Sequence, residues 1–409
     1  MKPTRPAEPG PMRLAHLLWA PHRLGFFLAA VNLLAVSGWW AWFNALRWTG
    51  HPGMALPPGW LHAQLMVGAF MPLYFTGFLF TAGPRWLNVT APTAPDLVRG
   101  SVALCVGWWV AAIGAYWHPA WTSAGLLLSL LGWLDLLVRF IGLLRQSRQE
   151  DTLHARLIAV SGCAGAVLLA VSAVALQQGA WPLWHATLLG LLWFWIAPVF
   201  VVALHRMIPF FTAAAMPALN AWRPNWLLWT LLTGLWAQGV LHVGDALGVL
   251  PRAALPAFVR PALALPWGLL VIALGVRWGL VQSLRIRLLA MLHLGFVWLG
   301  VAFLLELHAD PLLAVHALGI GALGSLLMAM VTRVSCGHGG RTLVADDFVW
   351  TVFLSLQGVA MARLAAQAWP EASWWLTPAA AWGWLAVLGV WCLRLIRWYL
   401  RPRRDGRPG

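Results

Sequence analysis

The sequence predicts an all-α integral membrane protein of twelve transmembrane helices, and three observations carry that prediction. Of its 409 residues 61% are apolar and only 10% charged, a balance foreign to a water-soluble domain. Apolar runs of about 20 residues, the length that crosses a bilayer as a helix, recur along the whole chain. The cationic side chains between those runs alternate. Twenty-three of the 27 Lys and Arg fall at the two ends and in every second connection. Only Arg47, Arg252 and Arg260 fall in the intervening connections, and Arg363 lies inside a run. One missed span would scramble this alternation.

The runs lie at 25–46, 59–82, 97–117, 121–144, 155–178, 182–204, 224–247, 256–276, 287–307, 312–332, 344–368 and 374–398. The chain therefore divides into a basic N-terminal segment 1–24, a membrane domain 25–398 and a basic tail 399–409. The first run is as long as a full span, so it reads as a helix and not as a cleaved signal peptide. In the fourth, Asp135 and Arg139 stand at i, i+4 and pair with each other. The seventh carries His242 and, three residues on, Asp245, either a partner that orients the ring or an exposed helix-end acid. The ninth holds His293, deeper in the membrane and best read as a bonded core histidine. The tenth has no charge from Leu312 to Val331, one imidazole, His316, and small residues Gly319, Gly321, Gly324 and Ser325 that let neighbours approach closely. The eleventh contains Arg363 between Gln357 and Gln367, a cation inside a span that needs an internal partner, such as a carboxylate of the kind a haem propionate supplies.

The charge of +15 would suit a nucleic-acid binder, but its distribution is that of a topology signal, and no nucleic-acid partner is expected. Four scattered cysteines form no CxxC or CxxCH, which argues against covalent haem c and against a cysteine zinc site. Those inside spans read as small core residues.

Three spans share a beginning. The second has His62-Ala63, the sixth His185-Ala186 and the tenth His316-Ala317, at intervals of 123 and 131 residues, four spans each. Three quasi-repeats of four helices follow as an expectation. With the orientation given by the charges, His62, His185, His316 and His242 all lie within about two turns, ~10 Å, of the outer boundary. Neutral imidazole is a common ligand for iron, copper and zinc. Each of the four is either such a ligand or a packing histidine bonded to a neighbour. No carboxylate cluster accompanies them, which argues against a di-iron carboxylate site.

Several stretches together resemble the NnrS family of bacterial membrane proteins. His316-Ala317-Leu318, Thr332-Arg333-Val334 and Gly337-His338-Gly339-Gly340-Arg341-Thr342-Leu343 are similar to its HALxxG…TRxxxGHTGRPL segment. His205-Arg206-Met207-Ile208-Pro209-Phe210-Phe211-Thr212 resembles GGRxIPFFT, and Leu292-His293-Leu294-Gly295-Phe296 resembles LHLGY. His62-Ala63, followed by Gly77-Phe78-Leu79-Phe80-Thr81-Ala82, is similar to HAHEM…GFLLTA, without the second imidazole and the glutamate, which are Gln64 and Leu65 here. The resemblance implies a bacterial inner-membrane protein with haem and copper, linked to nitric oxide response and denitrification. On it rest haem contacts by His62, His316, Arg206 and Arg333, and a second metal pair, His185 and His242. The twelve spans in three units are also distantly reminiscent of haem–copper oxidase subunit I, a fold-level analogy only. That subunit's paired histidines are missing, so an oxygen-reducing centre is not expected. The rival readings are a twelve-span secondary transporter, which more often shows two repeats of six, and a non-enzymatic sensor or assembly factor using Arg206, Arg333, Cys336, His338 and Arg341. Those side chains equally suit phospholipid contact or helix capping. Partners are then nitric oxide or a related small molecule, and membrane lipid.

The charge asymmetry generates the first testable outcome. Reporter fusions will place both termini in the cytoplasm and the connection at Pro119 outside. A periplasmic C-terminus would sink the twelve-span order.

Overall fold

A computed structural model describes residues 10–46, 50 and 53–405. Residues 1–9, 47–49, 51–52 and 406–409, Arg47 and His51 among them, lie outside the described residues. The chain is all helical, with no strand among the described residues, and twelve helices are long and apolar enough to span a membrane. They are α1 (Pro21–Ala45), α2 (Pro58–Leu87), α3 (Ala94–Gly114), α4 (Pro119–Gln146), α5 (Leu153–Gln177), α6 (Trp181–Ala215), α7 (Asn225–Ala246), α8 (Val259–Arg277), α9 (Arg287–Leu305), α10 (Pro311–His338), α11 (Asp347–Ala368) and α12 (Pro370–Tyr399). Each coincides with one apolar run. Two run further than the hydropathy does: α6 continues through Arg206 and Pro209, and α10 through Arg333 to His338. Their polar ends pack on protein, so they need not stop where the apolar stretch stops. Arg206 lies over the Trp86 ring at 5.2 Å and Arg333 over Phe211 at 3.8 Å.

Helices α2, α6 and α10 form the interior. Of their most apolar stretches 72%, 83% and 72% is buried, against 28% for α8 and 33% for α11, which face outward. The remaining helices wrap this trio, and α12 packs along α1 to close the ring. The two chain ends meet on one face, called the termini face below. There the Arg13 N–H donates to Leu400 O at 2.8 Å, and Arg23 donates to the carbonyls of Tyr399 and Arg401.

All three inner helices are distorted just after their histidine. Helix α2 breaks at Ala69–Phe70, ahead of Pro72, which has no N–H to donate and would crowd the carbonyl of Gly68. The freed Ala69 carbonyl accepts from Asn32 Nδ2 at 2.7 Å, and Asn32 Oδ1 accepts from Trp109 Nε1 at 2.7 Å. Helix α6 widens to a π-helix at Leu191–Ile196, just before Pro198, and α10 at Ala317–Gly324, across its three glycines. Irregular backbone at membrane depth survives only inside protein or beside a cavity, and π turns gather at functional sites.

Helices α3 and α4 touch backbone to backbone. A Cβ on Gly107 would come 2.4 Å from Ser129 N, and one on Gly125 2.3 Å from Ala111 N. Gly125→Leu will therefore force the pair apart and cost about 1–3 kcal/mol, read as a lowered apparent Tm in detergent. An unchanged Tm would show that the contact tolerates a side chain.

Candidate functional site

A cavity of about 660 Å³ lies in the half of the bundle away from the termini, between the first halves of α2, α6, α10 and α12 and the last turns of α1, α7 and α11. That volume sits inside the ~300–1,000 Å³ typical of small-molecule and cofactor pockets. His62, His185, His242 and His316 all line it, as do Arg363 and Asp310. Its other walls are mostly apolar, with Met66, Phe70, Leu192, Leu323 and Trp384 among them. Four imidazoles from four helices are thus brought to one hollow.

Three of the rings rest on tryptophans. His62 stacks on Trp40 with centroids 3.8 Å apart, His185 on Trp60 at 4.7 Å, and His242 on Trp193 at 5.2 Å, all within 19° of parallel. Flat stacking fixes the plane of each ring. Nothing in the sequence spacing marked these tryptophans among the 31 present.

Hydrogen bonds fix which nitrogens remain available. His316 Nδ1 lies 2.7 Å from Leu312 O. A carbonyl only accepts, so Nδ1 carries the proton and the neutral ring keeps a bare Nε2. His242 Nε2 lies 2.7 Å from Glu306 Oε1, both side chains being buried. Arg252 donates through NH1 to Glu306 Oε2 at 3.2 Å and through NH2 to Glu306 O at 2.8 Å. With Glu306 Oε1 accepting, His242 donates from Nε2, and the neutral ring keeps Nδ1 bare. His62 Nδ1 is buried with no hydrogen-bond partner, and the residue lines the cavity. His62 lies within electrostatic reach of His316 and Arg363, and His185 within reach of His242 and Asp245.

Asp245 does not orient His242. It is exposed and accepts the Arg252 backbone N–H at 2.7 Å, the helix-end acid of the two readings. The orienting carboxylate is Glu306, from the end of α9, and the sequence carried one sign of it: an acid set between Leu305 and Leu307 in an apolar run.

Arg206 and Arg333 are not brought to this cavity. They sit at the termini face, where Arg206 of α6 covers Trp86 of α2 and Arg333 of α10 covers Phe211 of α6. These stacks tie the inner helices together at the end away from the histidines. Nearby, the His338 ring lies 4.9 Å from that of His22, and Arg341 lies over Trp398 at 4.0 Å. His293 is fully buried and bonded to Thr212 at 3.0 Å, as a core histidine should be. Asp135 pairs with Arg139 and also with Arg99. Of the cysteines, Cys105, Cys336 and Cys392 are buried, whereas Cys163 is exposed on the outer surface of α5.

One buried pair had no signal in the spacing. His205 Nε2 lies 3.2 Å from Pro224 O, and His205 Nδ1 lies 3.0 Å from His154 Nε2. The carbonyl can only accept, so His205 donates to it and accepts from His154. Both rings are buried near the termini face, away from the cavity.

Among the described residues, no three His, Cys, Asp or Glu side chains converge to hold a metal ion. The cavity thus offers four imidazoles among mostly apolar walls.

The Glu306 cluster has a measurable cost. Glu306→Ala leaves buried His242 and Arg252 without their carboxylate and will lower stability by about 3–5 kcal/mol, whereas Glu306→Gln, which still accepts from Nε2, will cost less. Equal thermal shifts for the two variants would argue against the carboxylate role.

A comparison with curated proteins finds no match. The sequence profile described as NnrS protein matches residues 16–403, nearly the whole chain, and the protein belongs to the NnrS family.

Proposed function

We propose that this protein is a haem-binding inner-membrane protein of the nitric oxide response and denitrification, with both termini cytoplasmic. The family supplies the association with haem, copper and nitric oxide. The observation that carries the reading is the single cavity in which four imidazoles from α2, α6, α7 and α10 meet among apolar walls.

In this reading His62 and His316 would hold the haem iron. His316 meets the requirement for a ligand, because its Nδ1–H is committed to Leu312 O and its Nε2 is bare. His62 lines the same cavity, and the Trp40 stack holds its plane. Bound there, haem would supply an iron centre that exchanges one electron. The protein's own part is to fix the two rings and to keep bulk water out with apolar side chains. His185 and His242 offer a two-imidazole pair to copper, with Glu306 setting the tautomer of His242. Arg206 and Arg333, at the other face, have no part in ligation in this proposal and hold the inner helices together.

A reduced-minus-oxidised absorption spectrum of the purified protein tests the proposal. A Soret band is expected. His62→Ala or His316→Ala will remove or convert it while the protein stays in the membrane, and His185→Ala or His242→Ala will spare it. A folded, membrane-inserted protein that takes up no haem in cells making it would overturn the proposal.

A further inference from the structure

Arg363 is the cation inside α11, and lipid surroundings require it to have a partner. Among the described residues it forms no ion pair. Its one side-chain hydrogen bond runs from NH1 to Gln367 Oε1 at 3.0 Å, an uncharged acceptor. Gln367 in turn donates from Nε2 to Asp310 Oδ2, and Asp310 Oδ1 accepts the Leu312 N–H at 2.8 Å as the N-cap of α10. The Asp310 carboxylate lies within electrostatic reach of Arg363 but is hydrogen-bonded to it only through the Gln367 amide. A guanidinium has five N–H donors, and four of them are uncommitted. Arg363 also lines the cavity, within electrostatic reach of both His62 and His316.

We infer that the directly paired anion arrives with the ligand: Arg363 is a carboxylate-binding residue, and whatever fills the cavity presents an anionic group beside His62 and His316. This inference rests on the haem reading, in which the anionic group is a porphyrin propionate. Gln367 aims the guanidinium by accepting one N–H, and Asp310 keeps Gln367 in that orientation. The ring nitrogens present lone pairs and Arg363 presents donors, so the cavity is polar in two opposite senses. A flat apolar molecule with a Lewis-acidic centre and acidic edge groups satisfies both.

The test is a Soret titration of the full-length apo-protein, made in a haem-deficient host and held in neutral detergent. The probes are iron protoporphyrin IX and its dimethyl ester, which differ only in the two carboxylates. The wild type is expected to bind the free acid about tenfold more tightly, the size of one hydrogen-bonded charge pair. Arg363→Gln should bring the ratio close to one by weakening the acid alone, and Arg363→Lys should restore part of it. Asp310→Asn, which removes a competing negative charge, should keep or raise the ratio. Equal binding of acid and ester by the wild type would overturn the inference and leave the haem reading standing. A ratio that survives Arg363→Gln, or one that collapses in Asp310→Asn, would also overturn it. Binding of neither porphyrin would bring down the haem reading and the inference with it.

Discussion

Everything at the cavity depends on one constraint: in a bilayer, each polar group must find a partner inside the protein. The three inner helices would be smooth apolar rods if packing alone shaped them. Instead, α2 is broken at Ala69–Phe70, and α6 and α10 pass through π-helical stretches. The freed groups have to be met, as Asn32 meets the Ala69 carbonyl. Such distortions widen the space between helices at a defined depth. The cavity occupies that depth, and the imidazoles enter it from the turns at the ends of the helices.

The same constraint sorts the protein's polar residues into two kinds. Some are satisfied within the chain: His205 by Pro224 and His154, Glu306 by Arg252 and His242. These cost little and rigidify their surroundings. Others keep capacity to spare. Some of these, such as His293 Nδ1 and His154 Nδ1, are scattered through the core, but several line one place. His316 has a bare Nε2, His242 a bare Nδ1, and Arg363 has uncommitted N–H donors, all around the same hollow. Where unspent hydrogen-bonding capacity clusters beside apolar walls, a ligand is the economical way to complete it.

The spans, their order and the shared depth of the four histidines could be read from sequence because each depends on a local property. Hydropathy sets span position, and the distance of a histidine from its helix end sets its depth along the bundle. Partner choice was not legible, because it depends on which helices become neighbours. Asp245, three residues from His242, was the obvious candidate from spacing, yet Glu306 of α9 reaches the ring because α7 and α9 converge at the α7 end. The tryptophan shelves escaped for the same reason. The family motifs carried Arg206 and Arg333 to notice without stating where they sit, and the fold puts them at the far face from the imidazoles. A motif residue can matter for assembly and have nothing to do with ligation.

The substitution of Gln64 for the family's second imidazole shows how the pieces fit. Gln64 is buried on α2, two residues after His62 and so turned away from it along the helix. It donates from Nε2 to Ser172 Oγ at 2.8 Å and accepts from Trp184 Nε1 at 3.0 Å. Trp184 precedes His185, and its neighbour in space is Trp60, the ring on which His185 stacks. Gln64 therefore joins α2, α5 and α6 directly behind the cavity wall. An imidazole at that place would face the same partners and not the hollow. A second ligand on α2 is accordingly not something this chain has lost from its cavity. The position serves the scaffold that sets His185, and the set of nitrogens offered to a ligand is the four already gathered there.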